Sequence, residues 1–264
     1  MSSQGRPTPP KNATMLVAEV IAAERITPTM MRITLGGEAL ARFEPSGFDQ
    51  WFRLFLPPRE DTDTNFDLPA KINLLGYMQF LAMPKATRPV MRNYTVRQFR
   101  AEPRELDIDF VAHGDNGPAS RWAGAARVGD TVALLDQGVM FNPVDGADWH
   151  LLVGDESGLP AIAGILRDMP RDSVGHAFIE IPDAADAQAL DNPAGIEVHW
   201  LPRGHGGRPG TLALSAVQGF DLPAGVVSAY VVGEQSLPTS LRRWLVNERG
   251  VPKANVTFCG FWRA

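Results

Sequence analysis

The rhythm of apolar residues changes once along this 264-residue chain, near residue 145, and that change restricts the fold more than any single motif does. From Ala13 to about Asn142 the apolar runs are short and cut by Gly, Pro and Asp: Met15 to Ile21, Met30 to Leu35, Trp51 to Leu56, Leu106 to His113 and Thr131 to Leu135. Runs of this kind, separated by turn residues, predict a small antiparallel barrel. From Trp149 onward strand-like runs alternate with helical ones. His150 to Gly154 leads into a helix through Ala161, Ile162, Ile165 and Leu166, with Pro170 past its end. Strands follow at Ala177 to Ile181, Ile196 to Leu201 and Val226 to Val232, then a helix through Leu241, Trp244 and Leu245 with Gly250 as its stop. Val256 to Cys259 is the last strand. Such alternation predicts a doubly wound parallel sheet. The expected order is a disordered Pro-rich leader over 1–12, a barrel over 13–145 and a Rossmann-like domain over 146–264. Pro57 to Pro89 is a long connection, acidic and then apolar, of the sort that is functional or disordered.

Composition narrows the class of partner. A net charge of −5 without a basic run argues against nucleic acid. The single cysteine, Cys259, excludes a framework of internal disulfides and a four-cysteine iron–sulfur cluster within the chain. Met1 to Asn12 lacks the apolar stretch of a secretory signal, and no apolar run is long enough to span a bilayer. The expectation is a soluble, cytoplasmic protein, a monomer or weak dimer. His150, His176, His199 and His205 are scattered, without helical pairing or neighbouring cysteines, so no metal site is expected.

Chemistry concentrates in Arg92-Asn93-Tyr94-Thr95-Val96-Arg97. Strand alternation puts Arg92, Tyr94 and Val96 on one face and Asn93, Thr95 and Arg97 on the other. An aromatic ring, a hydroxyl that donates and accepts, and flanking cations suit a flat, anionic cofactor. After the next strand, which alternates through Leu106, Ile108 and Phe110, comes Gly114-Asp115-Asn116-Gly117-Pro118-Ala119-Ser120-Arg121-Trp122-Ala123. Gly117, Ala119 and Ser120 are small enough to admit a phosphate, and amides at a helix start could hold it.

With these residues in view, the chain resembles the siderophore-interacting proteins, FAD-dependent ferric-siderophore reductases of the ferredoxin–NADP reductase superfamily. Asp49 to Leu54 resembles the family's D-Q-x-x-K-L strand, Arg92 to Arg97 its R-x-Y-T-x-R, and His113 to Ala123 its H-G-x-x-G-P-A-x-x-W-A. Gly154 to Ala161 resembles G-D-E-T-A-L-P-A, and Gly260-Phe261-Trp262-Arg263 a terminal G-Y-W-R. The resemblance implies a barrel that binds FAD and a second domain of NAD(P)H type. It implies that Tyr94 stacks on the isoalloxazine, that Thr95 lies near its reactive nitrogen, and that Arg92, Gly117, Ala119 and Ser120 hold the pyrophosphate. Val111, His113 and Ser157 complete the implied FAD set. No protein nucleophile or general base is needed, because the cofactor carries the chemistry.

The resemblance also implies a basic pocket for an anionic ferric siderophore, with Arg53, Arg97 and Arg263 as candidates. Arg53 stands where the family has Lys, Phe261 replaces Tyr, and the sequence ends at Ala264 where many relatives continue. These departures bear on how complete that pocket is. Electrons would come from NADPH or NADH, or from reduced ferredoxin. Arg203 and Arg208, in a Gly-rich stretch after the third strand of the second domain, are candidates for a nicotinamide 2′-phosphate. Gly154-Asp155-Glu156-Ser157 is not G-x-G-x-x-G, and its acids would repel a pyrophosphate; alternatively they satisfy the start of the following helix. Two other functions fit the same residues less fully: a general NAD(P)H:flavin or flavodoxin-type reductase, and a binding protein that carries ferric siderophore without turning it over.

Overall fold

The computed structural model describes residues 8–10, 13–58, 64–69, 72–112, 117–204 and 206–264. The chain divides into two compact units: one spans 9–46 and 50–138, and the other spans 139–264 and takes in Thr8 and Gly47–Asp49. The change of unit at Val139 lies a few residues before the change of apolar rhythm.

The first unit is an antiparallel sheet of seven strands: β1 (Met15–Thr27), β2 (Met30–Gly36), β3 (Trp51–Leu56), β4 (Val90–Thr95), β5 (Gln98–Arg100), β6 (Glu105–Val111) and β7 (Thr131–Asp136). Helix α1 (Leu74–Ala82) lies between β3 and β4, and α2 (Pro118–Ala125) between β6 and β7. The strand order is β4-β3-β7-β1-β2-β6-β5. Strands β4 and β5 therefore stand at opposite edges, although only Val96 and Arg97 separate them in sequence. Three Cα steps reach at most about 11 Å, so the sheet must curl until its edges meet. At that seam Val96 N donates to Gln50 O (2.8 Å) and Arg97 N to Asp107 O (2.9 Å).

Leu16, Ile33, Leu35, Phe52, Leu54, Leu106, Ile108, Phe110 and Leu134 fill the interior. The other face of β6 carries Asp107 and Asp109, both buried. Arg32 grips Asp109 with two hydrogen bonds (2.7 and 2.9 Å), and Arg100 grips Asp107 likewise (2.6 and 2.8 Å). Such bidentate, charge-assisted pairs satisfy carboxylates that would otherwise be costly to bury.

Within the long connection over 57–89 the structure places α1, capped by the Asn73 side chain, which accepts from Gly76 N (2.9 Å). Phe80 packs against Phe55 at 5.8 Å, in a small satellite core with Ala133 and Leu135. Leu74, Leu75 and Met78 are exposed, so the helix lacks the one-sided apolar stripe by which sequence periodicity reveals helices.

The second unit has strands β8 (Trp149–Gly154), β9 (Val174–Ile181), β10 (Gly195–Pro202), β11 (Val227–Glu234) and β12 (Val256–Trp262), with helices α3 (Leu159–Asp168), α4 (Thr211–Gln218) and α5 (Ser236–Asn247). All strands are parallel, in the order β10-β9-β8-β11-β12. The order reverses between β8 and β11, which is the topological switch point of a doubly wound sheet. The last strand, expected to end at Cys259, runs on: β12 continues through Gly260-Phe261-Trp262, Gly260 pairing with Gly233 and Trp262 with Glu234 across a register shift. Helix α4 was not foreseen, because its start is held by a distant acid, Glu180 on β9, which accepts from Gly210 N (2.8 Å) and Ala213 N (2.9 Å). Of the leader expected to be disordered, the described residues include Thr8, which exchanges hydrogen bonds with Val139 (2.8 and 3.0 Å).

Asp49 and Gln50, adjacent in the D-Q strand, serve different units. Asp49 accepts from Met140 N (3.1 Å), Phe141 N (2.9 Å) and the Tyr230 hydroxyl (2.8 Å). Gln50 bonds Asp136 (2.9 Å) and the Glu44 carbonyl (3.0 Å).

Candidate functional site

In the barrel unit, α2 packs against β4 and β6, which brings the two motifs together. Tyr94 is half-buried, its ring 4.2 Å from Phe110, which in turn lies 5.6 Å from Trp122 of α2. Burial raises the Tyr94 hydroxyl pKa, against a smaller opposing effect of Arg92, so the phenol stays neutral. Arg92 is exposed and Thr95 is buried. The expected alternation spans β4 as far as Thr95 and ends there. Thr95 and Val96 are both buried because β4 ends at Thr95 and the chain turns across the seam.

Among the described residues, the start of α2 is open. Gly117 is its N-cap in extended backbone, no side chain caps the helix, and Pro118 occupies the first turn. A Cβ on Gly117 would meet nothing within 4 Å. The first amides of a helix have no intrahelical partner, and together they favour an anion. Ala119 and Ser120 follow in that turn, and Val111 ends β6. An open, uncapped helix start, a half-buried ring backed by aromatics, and an exposed arginine fit an aromatic cofactor with a pyrophosphate. His113, named in the same set, lies outside the described residues.

In the α/β unit the switch point is built differently. Asp155 follows β8, is fully buried, and collects five hydrogen bonds. Oδ1 accepts from Ser157 N (2.9 Å), Ser157 Oγ (2.5 Å) and Gly158 N (3.3 Å); Oδ2 accepts from Glu234 N (2.7 Å) and Trp262 Nε1 (3.0 Å). Burial raises its pKa, with Glu156 adding to the effect and the hydrogen bonds opposing it. Gly233 has φ +123°, and a Cβ there would lie 2.7 Å from the Asp155 carboxylate. The chain therefore admits only glycine beside this acid.

The remaining arginines are largely engaged. Arg203 makes two 2.6 Å bonds to Glu156 and lies 3.5 Å from Glu180. It is thus an ion-pair residue, and not a cation presented to a 2′-phosphate. Arg208 is exposed and helps hold the Glu234 carboxyl below its ordinary pKa; burial there acts upward but is outweighed by hydrogen bonds from Ser236 and Ala264. Arg97 lies 3.2 Å from Asp109, Arg53 donates to the Ile72 carbonyl (2.9 Å), and exposed Arg263 bonds Gln235 (2.9 and 2.7 Å). Sequence reading singled out Asp155 within the Gly154 to Ala161 motif but missed that it joins β8 to β11 and β12, because Glu234 and Trp262 are distant in sequence.

Comparison with known proteins agrees with this geometry. Residues 19–140 match the model of the siderophore-interacting FAD-binding domain, and residues 147–264 that of the siderophore-interacting protein. The ferric vibriobactin reductase ViuB of Vibrio cholerae is 31% identical over 93% of this chain and 88% of its own. The NADPH-dependent ferric-chelate reductase of Escherichia coli is 32% identical over 93% and 91%. A siderophore utilization protein from T. fusca superposes with a TM-score of 0.82, at 36% identity, covering 98% of this chain and 95% of its own. With both units matched in order and along nearly their whole lengths, the chain belongs to the siderophore-interacting protein family.

Proposed function

We propose that this protein is an FAD-dependent oxidoreductase that reduces iron(III) held by a siderophore, with a reduced nicotinamide as donor, and so releases ferrous iron in the cytoplasm. The observation that carries the reading is the open start of α2 beside Tyr94, Thr95 and Arg92. FAD, when bound, supplies the path for electrons from donor to iron. Tyr94 offers a ring held in place by Phe110, and Thr95 a hydroxyl for a ring nitrogen. Arg92 and the backbone of Gly117, Ala119 and Ser120 hold the diphosphate. Arg53 of the barrel supplies positive charge toward an anionic ferric complex, and exposed Arg208 of the α/β unit toward a phosphorylated nicotinamide. The E. coli relative is named for NADPH, which supports that donor over NADH or ferredoxin. No helix among the described residues is long and apolar enough to cross a membrane.

The test is to purify the protein, identify its flavin after heat release, and follow ferrous iron with a chelator as NADPH and a ferric siderophore are mixed. FAD with flavin-dependent iron release supports the reading. A protein that takes up no FAD, or that oxidises NADPH without releasing iron, overturns it.

A further inference from the structure

Strands β9 and β10 pair in parallel, with Glu197 opposite His176 and His199 opposite Phe178. Residues two apart on a strand share a face, so this register gathers two imidazoles and a carboxylate that are well separated in the sequence. His176 Nδ1 lies 3.2 Å from His199 Nε2, and Glu197 Oε2 lies 3.5 Å from the first and 3.7 Å from the second. From these cluster geometries we infer a binding site for one divalent first-row transition ion, zinc foremost, ligated by His176, Glu197 and His199.

The distances carry this. Zinc bound at about 2.0–2.1 Å holds tetrahedral ligand atoms about 3.3–3.4 Å apart, and the three observed separations bracket that value. A point about 2 Å from all three atoms therefore exists, so no ligand has to travel to accept the ion. The rings are also held in place. Phe178 stacks on His199 at 4.4 Å and 13°, and Phe220 sits edge-on to His176 at 4.6 Å. Pre-positioned imidazoles lose little freedom on binding. The histidines are half-buried and Glu197 is exposed, so one side stays open for water as a further ligand. His176 and Glu197 also line a cavity of about 320 Å³ with Asp148 and Trp149.

Two nitrogens and one carboxylate oxygen suit zinc, iron(II), cobalt or nickel, and not calcium or magnesium, which take oxygen ligands alone. The cluster lies toward the amino ends of its strands, away from the carboxyl-end crevice around Asp155 and Glu234. It is independent of the flavin reading. Because β10 is an edge strand, a bound ion would clamp that edge to β9.

The experiment uses the full, untagged chain, treated with EDTA and desalted, and titrated with Zn²⁺ calorimetrically and with Co²⁺ by visible absorption. The expected result is one ion per chain, cobalt bands of low-symmetry N/O ligation, and a rise in melting temperature with Zn²⁺. Glu197→Gln and His199→Ala should each weaken binding by roughly tenfold or more. Glu197 is exposed, so its variant keeps the fold, which circular dichroism verifies. Absence of saturable Zn²⁺ binding in the wild type, or binding unchanged in both variants, overturns the site.

Discussion

Two helix starts in this molecule solve the same electrostatic problem in opposite ways. Among the described residues, helix α2 begins at Gly117 without a side-chain cap, and a Cβ there would meet nothing within 4 Å. Helix α3 also begins with Gly and Pro among its first residues and without a side-chain cap, yet the turn leading into it is tied by a buried carboxylate, Asp155, which takes the amides of Ser157 and Gly158. A helix N-terminus becomes an anion site only if the protein leaves it unfilled. The first start is the one proposed to receive the FAD diphosphate. The second is closed internally, at the switch point where doubly wound sheets commonly receive a dinucleotide.

The largest effect should come from emptying the closed start. Asp155→Ala removes five hydrogen bonds, of whose donors only Gly158 N keeps another partner among the described residues, the residue-155 carbonyl (2.9 Å), and should cost about 3–5 kcal/mol in urea denaturation. With Asp155→Asn as a non-titrating reference, the sign of the pH dependence follows. The folded-state pKa of Asp155 is raised, so the folded state takes up a proton before the unfolded chain does. Wild-type stability relative to Asp155→Asn should therefore rise as pH falls from neutrality through that raised pKa, and level off below 3.8. A difference that falls with acidity would show Asp155 to be stabilised as the anion.

Filling the open start is the converse. Gly117→Asp, in extended backbone with room for a Cβ, should stabilise the chain by about 0.5–1 kcal/mol as a new N-cap, read as a higher melting temperature. The same change should lower FAD affinity by roughly tenfold or more in a flavin-fluorescence titration, because the carboxylate competes with the diphosphate. Better folding with unaltered FAD affinity would place the diphosphate elsewhere. Tyr94→Ala should lower FAD affinity by about tenfold through lost stacking. Smallest of all, Arg208→Ala should reduce the preference for NADPH over NADH by no more than about fivefold, since an exposed ion pair contributes at most about 1 kcal/mol.

Much of this was legible in the sequence. Alternation in Leu106, Ile108 and Phe110 identified β6, and the single change in rhythm separated an antiparallel from a parallel architecture. Contacts between residues far apart in sequence were not legible. The arginines of the barrel looked like ligands for an anion, yet Arg97 faces Asp109 on a strand that reads as merely alternating. Arg203 looked like a phosphate clasp until β8 and β10 brought Glu156 to it. His176 and His199 looked unrelated because strand register, which joins them, leaves no local periodicity. The helix start at Gly117 was legible because its Gly-Pro signal is local.

The seam between β4 and β5 has a consequence for how the barrel breathes. The motif whose Tyr94 and Arg92 are proposed to hold FAD also supplies, in Val96 and Arg97, the amides that bond Gln50 and Asp107 at the sheet's edges. An occupant resting on β4 and α2 is thus a strap across the closure, and amide hydrogen exchange at Val96 and Arg97 should slow when FAD is added, ahead of amides deep in β1.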